Sequence, residues 1–423
     1  MERGVNLAEQ ITYPRYRWLM LLLVWALFGL CNFNNMMIAV RAHDLMPALG
    51  LNTQQFYLIN TATAIAPIFL CLVGGMLGDR FGVRWIIGLG SIIAAAAALL
   101  RLTATGFWPF LIFQVLLGAG TGFTTPNAPK IAGVWFPPNQ VSVAIGLFMT
   151  GQGLGLALGF AFGALFPTWQ SAIMVMGLLM AVATAAWLIF AREKPKGFEE
   201  RGIEVAGVSF REGMSRVWNA KKRWWLGVCV FLVMAVTMSY VYGLPLLLEE
   251  TKGVSPGASG LVVFLGVMGY VFGTVIWPII CEKIGVVKPF FLACTAMAGL
   301  FGLVTYIMAP GIGMWLLAFF PGFFMGAGYP MMYQLPVHLR EFGPRYAATP
   351  TGLMDAVGNL GVVLMLPFMF TPIWNAAGPI PAMLFLLVAV AGGGIFYLLL
   401  PDTGRKARER WAREEAEAQA TTS

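Results

Sequence analysis

The chain has 423 residues and a formal charge of +8, with 11% charged positions against 59% hydrophobic ones. A soluble domain carries about 25% charged and about 45–50% apolar residues, and a disordered chain needs the opposite bias. The composition therefore excludes disorder, leaves more apolar surface than the cores of a soluble enzyme can hide, and points to a polytopic membrane protein.

A helix that crosses a bilayer needs about 20 mostly apolar residues. Twelve such spans are predicted, over 18–40, 54–77, 83–103, 108–133, 141–166, 170–191, 224–248, 258–281, 287–309, 313–336, 347–372 and 378–400. They are apolar on all faces rather than alternating, which argues against a β-barrel. Helices also satisfy their own backbone polar groups, as lipid requires. The first span, Trp18 to Val40, has 23 uncharged residues and is too long for a signal-peptide core of about 7–15. Cys31, Cys71, Cys229, Cys281 and Cys294 all fall in apolar segments without metal-ligand spacing. They read as packing residues, with no metal and no cofactor expected.

Basic residues concentrate on the cytoplasmic side of membrane proteins. With the N-terminus inside, 23 of the 27 Lys and Arg residues fall in cytoplasmic segments, leaving Arg41, Arg101, Lys130 and Lys252. Both termini are thus expected on the cytoplasmic face of the inner membrane. The positive charge is a topology signal, with attraction to anionic headgroups a secondary effect. Its spread over many short segments is unlike a nucleic-acid footprint.

The longest polar stretch runs over 192–223, after six spans. It predicts an N-terminal six-helix bundle (1–191), a cytoplasmic central loop (192–223), a C-terminal six-helix bundle (224–400) and a cytoplasmic tail (401–423). The halves repeat. Asp79-Arg80-Phe81-Gly82 after the second span matches Glu282-Lys283-Ile284-Gly285 after the eighth. Gly118-Ala119-Gly120 matches Gly326-Ala327-Gly328, and 136–155 matches 342–361 with six identities. Repeated halves with a pathway between them are a common design of secondary transporters.

The loop after the second span reads Gly75-Met76-Leu77-Gly78-Asp79-Arg80-Phe81-Gly82-Val83-Arg84. This resembles the G-x-x-x-D-R-x-G-x-R signature of the major facilitator superfamily. The resemblance extends over the whole chain through the twelve spans, the six-plus-six division and the degenerate second copy. It implies an all-α fold of twelve transmembrane helices in two pseudo-symmetric bundles. It also implies a conformational latch at Gly75, Asp79, Arg80, Gly82 and Arg84, echoed by Glu282 and Lys283. The plainer reading of the same residues is a tight turn with basic topology signals. Trp135-Phe136-Pro137-Pro138, followed by a glycine-rich fifth span, is similar to the anion:cation symporter and cyanate-permease-like branches. Asn139-Gln140 and Asn34-Asn35 stand where many of those symporters carry charged residues.

An ionisable group inside a span is costly and marks a pathway. Asp355, in the eleventh span, is the candidate coupling site for a proton or other ion, or else a structural carboxylate. Lys130 and Arg41 are candidate contacts for an anion, or else interface anchors, and Arg101 reads as a snorkelling anchor. His43 and His338 have no ligand cluster. Helices 1, 4, 7 and 10 line the cavity in the resembling family, beside 2, 5, 8 and 11. Asn32, Asn35, Asn60, Thr124, Gln152, Tyr240, Tyr270, Tyr329, Tyr333 and Asn359 are the polar residues at middle depth there. They suit a small polar solute in an apolar cavity, and each alone also suits bonding between helices.

Together these features predict a secondary active transporter working by alternating access. It carries a small solute, an organic or inorganic anion, in symport with a proton or ion, and it works as a monomer. The alternative within the class is proton-coupled efflux of a lipophilic or cationic compound. A non-transporting receptor would need a sizeable soluble module, and only 1–17, 192–223 and 401–423 are free to form one. There is no Walker-type run and no clustered nucleophile, base or metal set, so neither ATP hydrolysis nor an intramembrane enzyme is expected.

Overall fold

The computed structural model describes residues 15–137, 140–195, 223–333, 335 and 348–422. The central loop beyond 195, His338 and the side chain of Asp79 lie outside the described residues. Among the described residues, twelve helices are long and apolar enough to cross a membrane. They are α1 (Tyr16–Met36), α2 (Thr53–Gly78), α3 (Val83–Thr103), α4 (Phe107–Trp135), α5 (Ala144–Gly163) and α6 (Trp169–Phe190). The second six are α7 (Trp224–Lys252), α8 (Pro256–Ile284), α9 (Lys288–Ile307), α10 (Ile312–Tyr333), α11 (Gly352–Ala377) and α12 (Pro379–Leu398). After the spans comes a polar helix, α13 (Arg405–Thr422).

The ends of the spans follow local chemistry. Asn52 accepts from the Gln55 amide and Gln55 returns the bond, a capping box that starts α2. Gly50, with φ at +62°, ends the short surface helix Ala42–Leu49 in the left-handed conformation that glycine adopts without strain. Inside α11, Pro367 cannot donate to the helical ladder. A π-helical turn over Met365–Phe370 absorbs the break, and Thr371 Oγ1 bonds the Leu366 carbonyl at 2.8 Å.

Packing repeats between the halves. In the first, α1 lies on α5, α2 on α4, and α3 on α6. In the second, α7 lies on α11, α8 on α10, and α9 on α12. The halves meet along α5 with α8 and α2 with α11, again a symmetric pair. Without a hydrophobic drive between helices in lipid, close backbone approach supplies the contact. The α8–α10 seam is the tightest case: a methyl group added at Gly322 would stand 1.7 Å from the Gly266 carbonyl oxygen, and one at Gly273 would stand 2.0 Å from that of Phe323. Large apolar side chains such as Phe69, Val182, Leu316 and Val388 cover the outside of the bundle. On a membrane protein these are lipid-facing.

Candidate functional site

The α8–α10 seam sets Tyr270 of α8 against the end of α10, where the main helix breaks at Gly326 and resumes as Gly328–Tyr333. A narrow cleft lies between α7, α8, α10 and α5, with Leu156, Met238, Tyr240, Val263 and Tyr270 in its wall. A second, smaller cleft shares Thr237, Met238, Tyr270 and Met325 with the first and ends at Tyr329. The lining is apolar apart from Thr237 and the phenols.

Asp355 stands behind Tyr329. Its Oδ1 accepts a hydrogen bond from Tyr333 Oη and a longer one, 3.4 Å, from Tyr329 Oη. The two tyrosines are four residues apart, so they share one helix face. Their rings stack with centroids 4.1 Å apart and planes at 13°. Asn359 Nδ2 donates to the Asp355 carbonyl at 2.8 Å. Among the described residues no cation pairs with the Asp355 carboxylate. The predicted residues Tyr240, Tyr270, Tyr329, Tyr333, Asp355 and Asn359 are therefore brought together in and beside one cavity.

A second polar cluster lies nearer the end of the bundle remote from the termini. Arg101 is fully buried rather than snorkelling. Its guanidinium donates to the Asn34 carbonyl and Asn34 Oδ1, both at 2.9 Å, and to Gln114 Oε1 at 3.2 Å. Gln114 Nε2 donates to Asn35 Oδ1 at 2.8 Å, and Asn35 Nδ2 donates to Tyr242 Oη at 3.0 Å. An arginine only donates, so it fixes the sense of every amide in this chain. The last bond joins α1 to α7, across the two halves. Tyr57 Oη of α2 reinforces it by donating to the Gly243 carbonyl of α7 at 3.1 Å. Gln114 and Tyr242 escaped the sequence reading, while Arg101 was read as an anchor and Asn34 only as a departure from the symporter pattern; a glutamine inside an apolar span was the available signal.

Other predicted site residues stand apart from the cavity. Arg41 pairs with Asp44 and donates to the Phe166 carbonyl at 2.9 Å, which ties the surface helix to the α5–α6 turn. Lys130 Nζ donates to the Gly75 carbonyl at 2.6 Å, on the neighbouring helix α2. Asn32 and Asn60 bond the carbonyls four residues back in their own helices, at 2.8 and 2.9 Å. Thr124 is buried and Gln152 half-buried.

The two signature loops have matching geometry. Gly82, with φ at +92°, and Gly285, with φ at +85°, turn each chain into the next helix. In the first copy, the Glu193 carboxylate, just past α6, accepts from the amides of Val83 and Arg84 at 2.7 and 2.9 Å. In the second, Asp402, just past α12, accepts from the Val287 amide at 3.1 Å. Each acid caps the exposed amides at a helix N-terminus, where negative charge is favoured. Arg84 reaches the Leu188 carbonyl at 2.7 Å, and Arg80 is exposed with its guanidinium over the Phe81 ring. Glu282 forms a two-pronged pair with Arg408 of α13 at 2.6 and 2.7 Å, and the Lys283 carbonyl accepts from Arg405 at 3.4 Å. Neither Glu193 nor Asp402 was singled out from sequence. Their common place after the sixth helix of each half was the clue.

The chain is similar to the 3-(3-hydroxy-phenyl)propionate transporter of Escherichia coli K12, with 28% identity over 77% of this chain and 79% of that one. It is also similar to the hexuronate transporter of the same organism, with 28% identity over 49% of each chain. Its fold matches the crystal structure of a bacterial homologue of the human lysosomal transporter Spinster, in an inward-facing and occupied conformation. The TM-score is 0.74 at 17% identity, covering 92% of this chain and 97% of that one. The sequence profile of the Major Facilitator Superfamily matches residues 20–366, and the protein accordingly belongs to that superfamily of membrane transporters.

Proposed function

We propose that the protein is a proton-coupled symporter that takes up a small organic anion by alternating access. The observation that carries this reading is the Asp355 carboxylate, held by two phenols beside an apolar cleft. A carboxylate in a water-poor site changes charge when it takes a proton, which is what coupling to a proton gradient needs. The relatives named above carry hydroxyphenylpropionate and hexuronate, both carboxylates. The solute binds between the two halves, residues 1–191 and 224–400. The bonds Asn35–Tyr242 and Tyr57–Gly243 form the outer gate, closed here. On this reading the protein sits in the inner membrane with both termini cytoplasmic, as the basic residues argue. The signature residues Gly75, Asp79, Arg80, Gly82 and Arg84, with Glu282 and Lys283, act as the inner latch.

Efflux of a lipophilic or cationic compound is the second reading. It draws on the Asp355 carboxylate and on the bonds that hold Arg41 and Arg101 away from the cavity. Uptake of labelled 3-(3-hydroxyphenyl)propionate into vesicles of purified protein separates the two. Accumulation under an inside-alkaline pH gradient supports symport, whereas gradient-driven extrusion of a lipophilic cation supports efflux.

A further inference from the structure

We infer that Tyr329 and Tyr333 form the binding site for the carboxylate of an apolar-bodied organic acid, a site created only when Asp355 takes up a proton. The inference rests on the symport reading above and specifies its chemistry. A phenol has one proton to give. In the present structure both phenolic protons are given to one acceptor, Asp355 Oδ1. A substrate carboxylate also accepts only, so it competes with the Asp355 carboxylate for the same two donors.

Protonation reverses the pair. The Asp355 carboxyl then holds an O–H of its own and donates it to Tyr333 Oη. The two phenolic O–H bonds are released to turn toward a substrate carboxylate. One proton enters with one carboxylate and no covalent bond other than the O–H forms, so the transported pair carries no net charge. The titratable groups facing Asp355 are Tyr329 and Tyr333 on α10 and Cys71 on α2, with Tyr270 of α8 beside Tyr329, while α7 presents Met234. All are neutral at physiological pH, and among the described residues no cation pairs with Asp355 to hold it ionised or to take over the substrate. The apolar body points into the adjoining cleft, between the rings of Tyr240 and Tyr270 and the side chains of Val263 and Val267, which must part to admit it. Two stacked phenols with fixed spacing favour the two oxygens of one carboxylate over a lone hydroxyl.

The test uses the full-length protein in vesicles with 3-(3-hydroxyphenyl)propionate, 3-phenylpropionate and benzoate as probes. Wild-type affinity should rise as pH falls, and a pH gradient should drive uptake while a membrane potential alone should not. Asp355→Asn should bind the probes with an affinity independent of pH and exchange them across the membrane, but should not accumulate them. Tyr333→Phe should bind ~10-fold more weakly or worse, the loss expected for a hydrogen bond to a charged group. Retention of the wild-type pH slope by Asp355→Asn, wild-type affinity in Tyr333→Phe and Tyr329→Phe, or uptake driven by potential alone each overturns the inference. If wild type binds none of the probes, the anion reading itself fails. The proton switch is read separately by infrared difference spectroscopy. A protonated carboxyl band absent from Asp355→Asn should shift in Tyr333→Phe, and an unmoved band overturns the switch.

Discussion

Asn35 of α1 donates to Tyr242 of α7 across 3.0 Å, and its amide can do so only because Gln114 occupies its oxygen. The two halves are thus joined by a bond whose direction is set three residues away, at Arg101. Removing the Tyr242 hydroxyl should loosen this end of the interface. Tyr242→Phe is expected to raise the outward-open population about 5-fold, the equivalent of one buried hydrogen bond of ~1 kcal/mol. Distances between spin labels on the outer loops, measured with and without the substitution, check this; an unchanged distribution removes the bond from the gate.

Arg101 should matter more to stability than to gating. Replacing it by Met leaves Asn34 Oδ1, the Asn34 carbonyl and Gln114 Oε1 without their donor. Unpaired buried acceptors cost about 1–3 kcal/mol each. Arg101→Met should therefore unfold at a temperature several degrees lower in detergent, with Arg101→Lys falling between it and wild type. Equal melting of all three would show that the buried guanidinium stabilises nothing.

At the signature loop, the seam between α2 and α4 makes a sharper demand. A methyl group at Gly78 would stand 1.9 Å from Asn127 Oδ1, while Asn127 Nδ2 bonds the Gly74 carbonyl at 2.9 Å. Gly78→Ala should cost roughly 1–3 kcal/mol by overpacking. The double substitution with Asn127→Ala should recover part of that loss, because the clash is with that one side chain. Failure to recover in a thermal-unfolding cycle would place the clash elsewhere.

The acid caps offer a parallel test of the internal repeat. Glu193→Gln and Asp402→Asn each weaken the cap on the amides that open the next helix. Each should destabilise its own half by ~1 kcal/mol. Hydrogen exchange at Val83 and at Val287 reports the two sites independently. Faster exchange at Val287 in the Glu193 variant, with none at Val83, would contradict the assignment.

The spans were legible in the sequence because lipid makes each helix satisfy its backbone locally, so twelve apolar runs became twelve helices. Their ends were less so. The first helix stops at Met36 rather than Val40, since the chain must turn there to bring Arg41 onto the α5–α6 turn. The eleventh span extends to Ala377 because the π-helical turn carries the helix past Pro367. Asp355 stood out as a lone acid in an apolar run, and its tyrosines were visible as polar side chains at cavity depth. Their joint bond to one carboxylate oxygen depends on how α10 and α11 cross, which no local pattern encodes. Arg101 misled for the same reason: a cation at a helix end looks like an interface anchor until three acceptors from α1 and α4 converge on it.

Gly322 and Gly266 meet with no room for a side chain, so α8 and α10 behave as one strut. Tyr329 and Tyr333 follow the break that ends this strut, and Asp355 faces them from α11 of the same half. The carboxylate and its phenols therefore belong to one half, and a rocking of the two halves would carry them as a unit.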